Sequence, residues 1–553
     1  MNPADTSDLW WRTAVFYCLD VETFQDSDGD GSGDFAGLAR RMDDLAALGI
    51  TCIWLMPFQP TPDLDDGYDI TDFYGVASRL GDLGRVVETI RVAHDRGIRV
   101  VMDLVVNHTS DRHPWFIAAR RSKNSRYRDY YVWRDHPPRK QQPTVFPGEE
   151  ASTWELDERT GQYYLHSFYR HQPDLNLGNP EVRAEIARII GFWLKLGIDG
   201  FRVDAVPFLI TAPGSPNEKD PHAFLRELHR FVGRREGSAM LLGEVGLPHD
   251  QQLDYFGTAA PELDLQFDFV TAQSAFLCFA RGEAEPLARA LASRPEVDVS
   301  QGWAMFLRNH DELSLELLAD DEKQEVFDAF APEEDQRVYG RGIIRRLAPM
   351  LDGDPRRLRL AYSLLFSLPG APTLFYGEEI GMGELDTSLR REAVRGPMQW
   401  DAGRNGGFST APASRLKRPV ATGGYAPEHI NVHDQSRDPD SLWTFISGLT
   451  SRYRSTPEIA WGRLSVLDAG DPRVLAHESA TDEVAFLAVH NFSAEAVTVA
   501  LPGWGAGRDV TVLLDSSSNT APDAAAPDEE GRLRLDGYGF RWLKSVPPSS
   551  VPG

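Results

Sequence analysis

Ile98-Arg-Val-Val-Met-Asp-Leu-Val-Val-Asn-His108 is a mostly apolar run that closes on an amide and a histidine. Near-continuous apolar runs of this length fit strands buried on both faces, as in parallel sheets. Seven more runs share the pattern: Ala14–Cys18, Thr51–Pro57, Gly200–Ala205, Met240–Val245, Leu263–Phe269, Trp303–Asn309 and Pro372–Tyr376. Helix-like amphipathic segments separate them. Eight strands alternating with helices predict an α/β fold, a (β/α)₈ TIM barrel.

Two connections are too long for a simple βα unit. Residues 107–175 are rich in Pro, Arg, Trp and Tyr and read as a subdomain inserted after the third strand. Residues 312–357 are charged and helix-prone and read as a lid over the seventh strand. After about Ser455 alternating runs take over: Glu483–His490, Val497–Leu501 and Val510–Leu514. They predict a C-terminal antiparallel β-sandwich. The expected division is 1–106 and 176–455 for the barrel, 107–175 for the insertion and 456–553 for the sandwich. The Pro/Ser-rich tail, 547–553, is expected to fray.

Among 553 residues, 83 acids oppose 57 bases, a formal charge of −26. That balance excludes nucleic acid and anionic membrane surfaces as partners. No apolar run reaches membrane-spanning length, and residues 1–8 lack the features of a signal peptide. Cys18, Cys52 and Cys278 are odd in number and widely spaced, so free thiols in a reducing, cytoplasmic setting are expected. Cys18 and Cys52 lie in strand runs and read as buried.

Four predicted strands end in polar clusters: Asp103-Leu-Val-Val-Asn107-His108, Gly200-Phe-Arg202-Val-Asp204, Gly243-Glu244 and Leu307-Arg-Asn309-His310-Asp311. One acid at a strand end is usually a helix cap or an ion pair. Four together, on strands three, four, five and seven, mark the barrel's C-terminal mouth, where active sites lie. These clusters resemble the signature regions of glycoside hydrolase family 13, the α-amylase family. Gln172-Pro-Asp-Leu-Asn176, Gly377-Glu-Glu-Ile-Gly381-Met382, Phe306–Leu313 and Val394-Arg395-Gly-Pro-Met-Gln-Trp400 resemble its trehalose synthase-like and α-glucosidase-like subgroup. The resemblance runs from about Trp11 to Trp400.

The resemblance implies retaining chemistry, in which two carboxyl groups about 5–5.5 Å apart flank the glycosidic bond. Asp204 matches the nucleophile, Glu244 the acid/base and Asp311 the third carboxylate, which grips sugar hydroxyls. Arg202, two residues before Asp204, faces the same way and would hold it ionised. Asp103 would support Arg202. Burial and nearby carboxylates are expected to raise Glu244 so that it carries a proton. His108 and His310 match sugar-binding histidines, where a lone histidine would read as a satisfied core residue. Asp65 is expected to pair with Arg395 and Tyr68 to stack on the sugar, closing the pocket for exo action on short substrates; Gln172 joins this binding set.

Asp26-Ser-Asp28-Gly-Asp30-Gly-Ser32-Gly-Asp34 alternates oxygen ligands with glycines. The spacing suits Ca²⁺ but lacks the terminal Glu of an EF-hand. A structural Ca²⁺ on Asp26, Asp28, Asp30 and Asp34, with the carbonyl of Ser32, is expected; Mg²⁺ is the alternative ion, and a solvated acidic turn the bland one.

Three stretches depart from the trehalose synthase pattern: Phe208–Asn217, Val245-Gly-Leu-Pro248 and Leu389-Arg-Arg-Glu-Ala393, with Gly396 in place of Thr. All face the leaving group. The expected activity is therefore hydrolysis or transglucosylation of short α-glucosides, with maltose–trehalose isomerisation as the alternative. A catalytically inert binding subunit is the reading from another class; the three carboxylates argue against it. Family relatives often dimerise, so a homodimer is a further expectation.

Overall fold

The computed structural model describes residues 7–211, 220–257, 260–517, 526–528 and 531–548. Eight parallel strands close into a barrel: β1 (Phe16–Leu19), β2 (Cys52–Leu55), β3 (Arg99–Leu104), β4 (Gly200–Val203), β5 (Met240–Gly243), β6 (Leu265–Phe267), β7 (Gly302–Met305) and β8 (Ala371–Phe375). They follow one another in chain order, with β8 pairing β1 in parallel. Each lies in or beside its predicted run. β7 ends earlier than Asn309: Phe306–Asn309 leave the ladder, with Phe306, Leu307 and Arg308 still buried. Val101, Phe201, Leu241, Leu265 and Ala304 are fully buried, as strands covered on both faces require.

Between β3 and β4, the strands Trp133–Arg134, Gln162–Leu165 and Trp154–Asp157 form a small antiparallel sheet. Phe116 stacks on Trp133 and meets Tyr164 edge-on, giving this insertion an aromatic core. After β7, the segment expected as a lid holds the helix Asp320–Phe330 and a three-stranded sheet of Leu313–Ser314, Gly342–Ile343 and Arg337–Val338.

The C-terminal part is a two-sheet sandwich. β9 (Arg463–Leu467), β10 (Val474–Ala480), β11 (Ala485–Asn491), β13 (Asp509–Asp515) and β15 (Phe540–Val546) form one sheet, ordered 9-10-11-15-13; β12 (Val497–Ala500) and β14 (Arg532–Leu535) form the other. Leu487, Val489 and Leu543 meet Val497, Val499, Leu533 and Leu535 between them. The sandwich is tied to the barrel through the helix Pro355–Ser367. Ser363 accepts from the indole of Trp542 at 2.9 Å and lies 3.0 Å from Nε2 of His490.

All three cysteines are free and buried. No helix among the described residues is long and apolar enough to cross a membrane. Residues 1–6, 212–217 of the altered loop and 549–553 of the tail lie outside the described residues.

Candidate active site

The register of β3 on β4 sets Asp103 directly beside Arg202. Both side chains point into the barrel axis, and the Arg202 guanidinium becomes a hub. Its Nη1 lies 2.7 Å from Asp103 and 2.6 Å from Asp204, and its Nη2 lies 2.8 Å from Glu244. One buried cation thus fixes the two carboxylates that would flank a glycosidic bond. The second oxygen of Asp103 accepts from the Trp54 indole and the Tyr68 hydroxyl, each at 3.1 Å. Asp103 is thereby filled by protein donors and is turned away from any substrate.

Burial shapes the titration of both flanking groups. It raises Glu244 to about 7, and the charges of Asp204 and Asp311 add to the shift against the pull of Arg202. Burial also raises Asp204 to about 6, with Arg202 opposing. At neutral pH Asp204 is mostly charged while Glu244 is poised to hold a proton. Ala205 contributes through its backbone. Its φ is +48°, and its N–H donates to Oε2 of Glu244 at 2.9 Å.

Asp311 closes the site from the other side. Nε2 of His310 lies 3.1 Å from it and 2.7 Å from the Tyr68 hydroxyl. Burial would raise Asp311, but Arg391, His310 and Arg395 together hold it well below the usual carboxylate range. His310 and His108 are both pushed down to about 4 by burial, so they are neutral hydrogen-bonding groups at pH 7. His108 places Nε2 3.1 Å from the carbonyl of Tyr68. Gln172 donates to Asp65 at 2.8 Å.

The expected Asp65–Arg395 pair does not form. Arg395 binds Asp66, Asp311 at 2.9 Å and the His310 carbonyl at 2.7 Å. Asp65 instead faces Gln172 and, at 3.6 Å, Arg391. The reason is conformational. Asp66 is left-handed at φ +48° and Gly67 at +94°, so adjacent carboxylates point apart. Asp66 turns below the pocket, between Arg395 and Arg418. Arg391, Asp66 and Arg418 were not among the sequence candidates. The doublet Asp65-Asp66 before a glycine was the available signal for Asp66.

Asp65, Tyr68, His108, Asp204, Glu244, Asp311 and Arg391 line one cavity of about 450 Å³ at the C-terminal mouth. The insertion supplies Phe146 and Phe168, and the segment after β7 supplies Glu312, Glu316, Leu317 and Arg341. Arg391 stands over the Phe146 ring at 5.2 Å and pairs with Glu312 at 3.2 Å, bridging the two. A larger cavity of about 600 Å³ lies elsewhere, lined by Arg12, Trp303 and Trp461, and holds none of the carboxylate set.

The family described as "Alpha amylase, catalytic domain" matches residues 21–330 and 344–462. The chain belongs to the α-amylase family. A second match, to "Sucrose hydrolase-like, C-terminal domain", covers residues 484–544 of the sandwich. The chain is 42% identical over 483 residues to a trehalose synthase/amylase of Mycobacterium tuberculosis, covering 86% of this chain and 80% of that protein. It is 29% identical to the oligo-1,6-glucosidase of Parageobacillus thermoglucosidasius, over 95% and 97% of the two chains. The trehalulose synthase of Pseudomonas mesoacidophila superposes with a TM-score of 0.77 at 28% identity, covering 97% of this chain and 99% of that one. The family and its enzymatic character, read from four strand ends, stand; so does the trehalose synthase-like and α-glucosidase-like grouping.

Three of the four carboxylates expected in the acidic loop come together. Asp26, Asp28 and Asp34 each bring an oxygen within 4.8 Å of the others. The Asp30 carboxylate is not in that group and accepts from the Ser32 N–H at 2.8 Å.

Proposed function

We propose that this enzyme transfers an α-glucosyl residue from short α-glucosides, with retention, to water or another hydroxyl. The observation that carries the reading is the Arg202 hub, which holds Asp204 and Glu244 on two arms of one guanidinium. In the first step Asp204 attacks C1 while Glu244 gives its proton to the departing oxygen. Once Asp204 is an ester its charge is gone. The repulsion that helped raise Glu244 then falls, and Glu244 becomes the base that takes a proton from the incoming hydroxyl. Asp65, His108, Tyr68 and Asp311 would bind the glucosyl unit, and the cavity has room for a disaccharide.

Interconversion of maltose and trehalose is the second reading, supported by the identity to a trehalose synthase/amylase. Proton NMR of the enzyme with maltose, trehalose and isomaltose separates the two. α-Glucose appearing first supports hydrolysis; conversion of maltose mainly into trehalose supports isomerisation. No turnover of any α-glucoside would defeat both.

A structural Ca²⁺ on Asp26, Asp28 and Asp34 also fits. Burial raises Asp28 first, and the charges of Asp30, Asp26 and Asp34 push the same way, a repulsion a cation would relieve. The buried free thiols suit a cytoplasmic enzyme.

A further inference from the structure

The cavity of about 600 Å³ has no part in the chemistry above. The starts of β6, β7 and β8 form its floor, at Leu265, Gly302 and Gly370, so it opens at the end of the barrel opposite the catalytic mouth. Its walls come from the helix Ser7–Thr13, the segment before β7, and residues 460–464 where the sandwich begins. Its charge runs against that of the chain. In a protein of formal charge −26, Arg12, Arg294 and Arg463 line this cavity, and among the described residues the carboxylate beside them is that of the exposed Glu296. Arg12 makes no ion pair among the described residues. Its Nη1 donates to the carbonyls of Val299 at 2.8 Å and Gln301 at 2.5 Å, and its Nη2 to that of Ala460 at 2.8 Å. The charge of Asp298 reaches Arg12, but its carboxylate is turned onto the N–H and hydroxyl of Ser300, at 2.9 and 2.7 Å. Burial lowers Arg12 to about 10, and the charge of Arg294 pushes the same way. Arg294 reaches Asp268 at 3.5 Å, a carboxylate already held by His249 at 2.8 Å. Arg463 is exposed on β9 and has no ion pair among the described residues.

Cations gathered out of water without matching anions are costly, and a bound anion would relieve that cost. Guanidinium forks suit phosphate oxygens in particular. The cavity also offers a flat apolar surface. Arg12 covers one face of the Trp461 ring at 4.4 Å; the half-buried indole lines the cavity beside Leu464 and Val466. Such a ring takes another ring against it. The volume falls within the range of about 300–1,000 Å³ typical of small-ligand sites. We infer that this cavity is a second ligand site, for a phosphate monoester carried on a ring: a sugar phosphate or a nucleoside monophosphate. Arg294 and Arg463 take the phosphate, the charge of Arg12 adds to their field, and Trp461 takes the ring. Because its walls belong to both the barrel and the sandwich, an occupant ties the two together. The inference does not depend on the glucosyl-transfer reading.

The test is titration calorimetry, with melting temperature as a second readout, on full-length Asp204→Asn enzyme in saturating maltose, so that the catalytic cavity is filled and silent. Glucose 6-phosphate and AMP probe the two kinds of body, and inorganic phosphate probes the bare anion. One-to-one binding of at least one monoester, tighter than inorganic phosphate, is expected, with a rise in melting temperature; the tighter monoester names the ligand. Arg463→Glu, at an exposed strand position, should weaken that binding about ten- to a hundredfold. Placed in the otherwise unaltered enzyme, it should leave maltose turnover unchanged. Trp461→Leu should bring the monoester down to the affinity of inorganic phosphate. If Trp461→Leu fails to fold, Arg463→Glu still decides. Neither heat nor a melting shift with either monoester at millimolar concentration overturns the inference. So does binding indifferent to Arg463→Glu, or inorganic phosphate held as tightly as both monoesters.

Discussion

The backbone N–H of Ala205 donates to Oε2 of Glu244 at 2.9 Å, so the residue after the nucleophile holds the acid/base. Ala205 is itself left-handed, at φ +48°, a conformation that costs a non-glycine residue about 1–2 kcal/mol. Ala205→Gly should therefore keep activity and leave stability equal or slightly higher. Ala205→Val should lose about 1–3 kcal/mol of stability, since a β-branched residue is poorly tolerated there. Thermal unfolding together with kcat on maltose checks both.

The pH profile should be a narrow bell. Below about 6 Asp204 becomes protonated and stops attacking, and above about 7 Glu244 loses the proton it must donate. Because the two carboxylates interact, the limbs belong to the pair. Glu244→Gln should lower kcat about 10²- to 10⁴-fold and abolish the alkaline limb. A wild-type optimum above pH 8 would contradict the assignment.

Asp65→Asn and Asp66→Asn should behave differently despite adjacency. Asp66 lies between two buried cations, Arg395 and Arg418, so its loss leaves unpaired charge and should cost about 3–5 kcal/mol. Asp65 faces the pocket, so Asp65→Asn should raise KM while unfolding stays near wild type. Denaturant curves and Michaelis–Menten kinetics on the two variants read this out.

Removing divalent cations should lower the melting temperature and leave the kcat of the still-folded enzyme intact, because Asp26, Asp28 and Asp34 lie outside the catalytic cavity. Ca²⁺ should restore the loss more fully than Mg²⁺, which prefers fewer protein ligands. A melting temperature indifferent to chelator would remove the ion.

Residues 312–357 line the cavity through Glu312, Ser314, Glu316, Leu317 and Arg341. If they act as a lid, sugar should slow proteolysis within them. Cleavage rates unchanged by saturating maltose would make them a fixed wall.

The barrel was legible because each strand is a short apolar run that ends where its side chains meet the mouth. Asp103, Asp204 and Glu244 were legible for the same reason: a charge at the end of an apolar run is placed by the strand itself; Asp311 lies beyond the end of β7 and was legible through its cluster with Asn309 and His310. Arg391 was not. It lies on an irregular segment with a left-handed kink at Arg390, φ +53°, where no period says which way a side chain points. The Asp65–Arg395 pairing failed on one residue of register, decided by a positive φ at Asp66 that composition does not announce. Phe146 and Phe168 reach the cavity through the folding of the insertion, a long-range contact that local spacing cannot encode.

The three buried thiols make this protein a ready host for a single optical reporter. Burial raises the thiols of Cys18 and Cys52 well above their ordinary value, which leaves little thiolate to react with a maleimide dye. Gln142 is exposed and lines the cavity mouth. A dye on Gln142→Cys would follow the filling of that mouth in real time, with no native cysteine removed first.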